Sequence, residues 1–266
     1  MQKSGGALDL GIAGRRALVC ASSRGLGRSC AEALAAEGVH VVLNARGAEG
    51  LDAAVADLSA RFDVEITGVR GDVSDTATRE ALLDACPGAD ILVTNNAGPA
   101  PAEFAACDRD DWMGALEANM VAPLMLIRSV IAGMVDRRFG RIINVTSAMV
   151  TSPHPSMGLS SGARAGLTAA VKGLSRAVAR DNVTINNLLP ERIDTDRQIY
   201  MAQQLVDQEG ISFEEARARQ IGSIAAGRLG RPEEFGAACA FLCSAHAGFI
   251  SGNNVHLDGG SYVGLV

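Results

Sequence analysis

Ser147, Ser160 and Arg164 are the residues of this chain whose types and spacing could do chemistry. Ser147 closes the apolar run Arg141-Ile-Ile-Asn-Val-Thr-Ser147, which reads as a buried parallel strand ending in a hydroxyl. Further on, Ser160-Ser-Gly-Ala-Arg164 opens a small-residue helix that runs through Gly166-Leu-Thr-Ala-Ala-Val171. Ser160 and Arg164 stand one helical turn apart, so a single face carries a hydroxyl beside a guanidinium. Between the two serines lies His154, in Ser152-Pro-His-Pro-Ser156, a side chain able to donate or accept a proton at neutral pH. Such a set suits polarising a carbonyl, but it also suits lyase or dehydratase chemistry without net hydride transfer, or plain nucleotide binding.

A second set lies near the start of the chain. After the first apolar run comes Cys20-Ala-Ser-Ser-Arg-Gly25-Leu-Gly27, followed by a helical pattern. Glycines between a strand and a helix let the backbone approach a pyrophosphate, and the helix N-terminus offers free N–H groups and a positive dipole end. Ser22, Ser23, Arg24, Gly25, Leu26 and Gly27 are the candidate contacts. The second strand ends Leu43-Asn-Ala-Arg46, with no acidic residue to bind a ribose 2′-hydroxyl. Arg46 and Arg24 can instead pair with a 2′-phosphate, so the cofactor expected is NADP(H).

The elements that must position these groups follow from alternating patterns. Strands are expected at Ala17–Ala21, Val39–Asn44, Val64–Arg70, Ile91–Asn95, Arg141–Thr146, Thr184–Leu189 and Asn254–Leu257. Helical patterns fall near 26–37, 48–62, 76–85, 109–138, 158–180 and 232–243. Short buried runs each followed by a helix predict right-handed βαβ units, hence an α/β, doubly wound fold with a seven-stranded parallel sheet flanked by helices. The polar helical stretch at about 195–230 interrupts the alternation at the carboxyl edge of the sheet, where it would act as a substrate lid.

Composition narrows the classes. With 266 residues and 48% apolar content, one domain spanning 1–266 can bury a single large core. A formal charge of −6 and no basic run argue against nucleic acid or an anionic membrane surface as a partner. The apolar stretch from Met120 to Val135 is interrupted by Arg128 and is shorter than the ~20 residues a membrane span needs. Met1-Gln-Lys-Ser-Gly-Gly carries no export signature. Cys20, Cys30, Cys86, Cys107, Cys239 and Cys243 show no metal-ligand spacing and read as reduced core thiols. No metal site is expected, and the expected location is the cytoplasm.

The chain resembles the short-chain dehydrogenase/reductases from about residue 10 to 261, specifically divergent members similar to the 3-oxoacyl-(acyl-carrier-protein) reductases. The matching motifs are the glycine loop with Gly25 and Gly27, Gly71-Asp-Val73, Asn95-Asn-Ala-Gly98, Asn119 in Glu117-Ala-Asn-Met-Val, Gly227-Arg-Leu-Gly-Arg-Pro-Glu-Glu-Phe235 and Gly252-Asn-Asn-Val-His-Leu-Asp-Gly-Gly260. The resemblance implies a Rossmann-like domain in which Asp72 and Val73 hold the adenine and Asn95, Ala97 and Gly98 shape the cofactor cleft. Pro190, Ile193 and Thr195 would border the nicotinamide, and Arg164 its ribose. Asn119 would hold a water in a proton relay, and Ser147 would bind the substrate carbonyl. It also implies a homotetramer, built here through the helices near 109–138 and 158–180, whose small residues include Ala163, Ala165, Gly166, Ala169 and Ala170.

The chain departs from the family where Tyr and Lys are expected, because Ser160 and Arg164 stand there. The implied activity is therefore NADP(H)-dependent turnover of a carbonyl/alcohol pair, on a small ketone, alcohol or acyl thioester, by an altered proton relay. His154, Tyr200 or an ordered water are the candidates for the missing acid. Two further departures are Cys20-Ala21 in the glycine loop and Glu191 after Pro190, where glycine is usual.

Overall fold

The computed structural model describes residues 8–265, so the segment read for an export signature lies outside the described residues. Seven strands form one parallel sheet: β1 (Arg16–Val19), β2 (His40–Ala45), β3 (Ile66–Arg70), β4 (Ile91–Thr94), β5 (Gly140–Val145), β6 (Val183–Pro190) and β7 (Asn254–Leu257). Their spatial order is β3-β2-β1-β4-β5-β6-β7. The order reverses between β1 and β4, which opens a crevice beyond their carboxyl ends. The register is unbroken across that seam, with Leu18 opposite Val42 on one side and Leu92 on the other.

Near-continuous apolar strands need cover on both faces. One face packs α1 (Gly25–Ala36), α2 (Ala48–Arg61) and α9 (Pro232–Cys243) through Cys30, Leu34, Leu51, Leu58, Phe235 and Cys239. The other packs α3 (Thr76–Ala85), α5 (Ala122–Asp136) and α6 (Gly158–Val178) through Leu82, Leu126, Ile127, Leu167 and Val171. Both faces therefore close on β1, β4 and β5, and this rigid floor carries the site residues.

Three boundaries differ from the sequence reading for identifiable reasons. β1 stops at Val19, because Ala21 takes a left-handed backbone with φ of +46°. β4 stops at Thr94, and the next residue, Asn95, sends its Nδ2 to the Ala21 carbonyl at 3.3 Å. The single helix expected at 109–138 is α4 (Arg109–Leu116) and α5, joined through a wide π turn at Glu117–Val121.

That composite helix corrects the reading of its length. Arg109–Asp136 spans 28 residues with a mean hydropathy of 1.6 in its most apolar window, long and apolar enough to cross a bilayer by length and composition. Ala122, Pro123, Leu126, Ile127, Val130 and Met134 nonetheless pack onto the domain core. Between β6 and α9, the stretch read as a lid forms α7 (Asp196–Glu209) and α8 (Phe213–Gly222).

Candidate active site

The glycine loop keeps its turn without its first glycine. Ala21 adopts the left-handed conformation that glycine would take freely, at a cost of about 1–2 kcal/mol. Gly27 is required sterically, since a Cβ there would lie 2.3 Å from the Ala21 carbonyl oxygen and 2.9 Å from the Asn95 amide. Ser22 is fully buried: its hydroxyl donates to the Val19 carbonyl at 2.8 Å and accepts from the Asn44 N–H at 3.0 Å. Its side chain therefore shapes the loop from beneath, unlike the ligand contact expected of it. Ser23, Gly25 and Leu26 stay partly exposed at the start of α1, and Gly25 faces Thr195 across the cleft.

The two arginines expected at the adenosine end are exposed on either side of this loop. Arg46 lies 3.7 Å from the Asp72 carboxylate, and Arg24 lies 3.4 Å from Asp196. Asp72 also accepts the Ser74 N–H at 2.9 Å, and Val73 is buried beside it. Asn96 donates to the Ala118 carbonyl, tying the loop after β4 to the π turn, while Ala97 stays exposed. An NADP(H) molecule fits this cradle: a free helix N-terminus stands at its centre, and two guanidiniums with exposed faces stand at the 2′ end.

At the other end, Arg164 is 7% exposed and reaches across the ends of two strands. Its guanidinium donates to the Val145 carbonyl at 2.6 Å and to the Asn96 carbonyl at 3.3 Å. Burial, and after it the charge of Arg197, push its pKa down to about 10. An ordinary guanidinium loses its proton only above about 12, so the fold makes this one a stronger acid. At neutral pH it remains a cation.

Ser160 is 3% exposed and sits one turn before Arg164 on α6. Ser147 follows β5 by two residues, and its Oγ accepts the Met149 N–H at 3.2 Å, which leaves its proton to donate. Asn119 is 3% exposed in the π turn, where its Nδ2 donates to the Ala115 carbonyl. Its Oδ1 is buried with no hydrogen-bond partner. A buried carbonyl oxygen left unpaired is costly, so this atom calls for a bound donor such as water.

The substitutes proposed for the missing acid lie outside this group. His154 is exposed, and its Nδ1 is occupied by the Ser156 hydroxyl at 2.9 Å and the Ser156 N–H at 3.3 Å. It caps its own turn. Tyr200 is 45% exposed on α7, with the Arg197 guanidinium 5.7 Å from its ring centre.

Glu191 lines a cavity of about 320 Å³ with Ile193, Arg228, His256 and Asp258. His256 there stacks on Tyr262 and stands 3.5 Å from Thr151 Oγ1 and 3.6 Å from Asp258. Thr151, Arg197 and His256 carry no spacing signal in the sequence, because their neighbours come from distant elements. Burial, opposed by Arg192, raises the pKa of Glu191. Its folded-state pKa thus exceeds the unfolded one, so stability falls as pH rises through that interval. Glu191→Gln is expected to raise the melting temperature at pH 7, with the gain vanishing below about pH 4. A pH series of thermal denaturation checks this.

The cysteines are free, and all but Cys107 are buried. Among the described residues no cluster of side chains could hold a metal ion.

Comparison with known proteins agrees with this geometry. Residues 20–262 match the family model described as enoyl-(acyl carrier protein) reductase. The chain is 32% identical to a 3-oxoacyl-(acyl-carrier-protein) reductase of Vibrio cholerae over 96% of this chain and all of that one. It is 31% identical to the NADPH-dependent reductase BacG of Bacillus subtilis, over 93% of this chain and 97% of that one. The crystal structure of L-sorbose reductase from Gluconobacter frateurii, complexed with NADPH and L-sorbose, superposes with a TM-score of 0.92 at 29% identity, covering 97% and 100% of the two chains. With this sheet order, this glycine loop and these relatives, the chain belongs to the short-chain dehydrogenase/reductase family, as a divergent relative of the 3-oxoacyl-(acyl-carrier-protein) reductases.

Proposed function

We propose that the protein is an NADP(H)-dependent oxidoreductase that interconverts a carbonyl and an alcohol through an altered proton relay. The observation carrying this reading is the buried Arg164 guanidinium bridging the ends of β4 and β5, the second of which runs on into Ser147. Relatives named as NADPH-dependent reductases support the choice of cofactor.

When bound, NADPH supplies the hydride. Arg24, Arg46 and the N-terminus of α1 hold its phosphates, and Arg164 holds the nicotinamide ribose. Ser147 donates a hydrogen bond from its hydroxyl to the substrate carbonyl oxygen, orienting it and stabilising the negative charge that develops there. The Arg164 cation stabilises that same charge. Ser160 is too short and too weak an acid to replace a phenol, so the proton comes from water held by Asn119 Oδ1, and the hydroxide left behind is reprotonated from solvent. The test is consumption of NADPH with methyl 3-oxobutanoate, related ketones and the corresponding oxo acids: turnover supports the reading, and its absence across the panel contradicts it.

We further read α7 and α8 as the substrate lid, and the assembly as a cytoplasmic homotetramer. Trp112 lies against Gly158 and Gly162, and Met120 against Gly166, so part of the small-residue face of α6 is spent within the chain. Ala169, Ala170 and Gly173 remain exposed on the same helix, as do Ser129 and Ala132 on α5. This leaves a flat strip that a second copy can cover. Light scattering at micromolar concentration is expected to give four times the mass of the chain, and a monomer would contradict it.

A further inference from the structure

We propose that Arg164 and Arg197 together bind a carboxylate on the substrate, so that the compound turned over is an oxo acid rather than a neutral ketone. This rests on reading the cleft as a carbonyl-reducing site, and it names the substrate class of that site.

Both guanidiniums dock on one loop. Arg164 donates to the Asn96 carbonyl at 3.3 Å, and Arg197, at the start of α7, donates to the Pro99 carbonyl at 3.2 Å. Gly98 lies between these anchors, and a Cβ there would come within 3.6 Å of the Arg164 guanidinium. Two cations thus converge on one loop, one from α6 and one from α7.

Neither has an acidic partner among the described residues. The lid carboxylates are engaged elsewhere: Asp194 pairs with Arg217 at 2.7 Å, and Asp196 with Arg24. The charge of Arg197 is felt at Arg164, where it opposes the cationic form. Two like charges held near each other at a partly buried site are relieved by an anion between them. A carboxylate matches the planar fork of a guanidinium with two parallel hydrogen bonds.

The experiment uses the intact protein loaded with NADP⁺, titrated in a calorimeter with 2-oxobutanoate and 3-oxobutanoate and with the methyl ester of each. The acids are expected to bind about tenfold more tightly than their esters. In Arg197→Gln that ratio is expected to fall below about threefold, and in Arg197→Lys to recover in part, since a point charge replaces the fork. Equal binding of acids and esters, or binding of neither, overturns the proposal. So does an Arg197→Gln variant that binds NADP⁺ more weakly while keeping its acid preference, which would assign Arg197 to the cofactor. The two readings separate in parallel NADPH-consumption assays. Acids that bind selectively without being reduced support the carboxylate site and contradict the reductase. Esters reduced as readily as acids, with equal affinity, do the reverse.

Discussion

Replacing Ser160 by Tyr and Arg164 by Lys together is expected to raise ketone reduction by about 10²-fold or more over the natural chain, measured as kcat/KM for methyl 3-oxobutanoate with NADPH. A positioned general acid is typically worth about 10²–10⁴-fold in rate. The natural chain lacks a phenol at this place: Ser160 is buried on α6 and cannot extend to the carbonyl. The Tyr hydroxyl ordinarily loses its proton near pH 10, and a neighbouring cation lowers that value. Lys provides such a cation, and unlike the bridging Arg164 it need not span the Val145 and Asn96 carbonyls. The double variant is the informative one, because the two residues act as a unit and single changes need not add. If the natural chain already reduces such esters at ordinary family rates and the double variant is slower, the water relay through Asn119 is an adequate acid. His154→Ala and Tyr200→Phe then show whether either exposed side chain contributes.

The second large effect concerns the cofactor. NADPH is expected to bind at least tenfold more tightly than NADH, and Arg46→Ala is expected to remove most of that difference. A hydrogen bond to a charged group is worth about 1.5–3 kcal/mol, and each 1.4 kcal/mol is a factor of ten. Both arginines are well exposed, Arg24 at 80% and Arg46 at 69% of the side chain, so solvent screening holds the preference toward the lower end. Each also begins with a carboxylate partner, Asp196 or Asp72, that the 2′-phosphate must displace or share. Asp72 already accepts the Ser74 N–H, so Arg46 is the freer of the two to turn toward a phosphate. A fluorescence titration with both nucleotides settles the ratio. Tighter binding of NADH would contradict the assignment.

The sheet, its flanking helices and the glycine loop were legible in the sequence because each rests on local pattern. Apolar runs such as Arg141–Thr146 and the Gly25-Leu-Gly27 step carry their own geometry. The π turn at Glu117–Val121 was not legible, since nothing in Glu-Ala-Asn-Met-Val departs from a helical pattern. Ser22 illustrates a different limit. A serine in a phosphate-binding loop reads as a ligand, and only the fold shows its hydroxyl occupied by Val19 and Asn44.

The charged groups were the least readable. The lowered pKa of Arg164 could not be read from the sequence, because its depth depends on how β4 and β5 end relative to α6. Nor could the surroundings of Glu191 be read: its N–H bonds the Leu257 carbonyl, and its side chain shares a cavity with Ile193, His256 and Asp258. Arg197 could be placed on a lid helix but not against Pro99, some hundred residues away in the chain. Each of these partners comes from a distant segment, and helix or strand periodicity carries no information about such pairs.

Hydride is expected to move between NADP(H) and a carbonyl in this cleft even with Ser160 and Arg164 in place. Incubating the protein with NADPH carrying deuterium at C4 of the nicotinamide, in either stereochemical configuration, and with a panel of oxo acids and ketones tests it directly by mass spectrometry of the products. The account predicts an alcohol one mass unit heavier, bearing deuterium on the former carbonyl carbon, from one of the two labelled cofactors. Label remaining entirely in the nucleotide across the panel, with tight NADPH binding intact, would contradict it and identify a nucleotide-binding protein that does not transfer hydride.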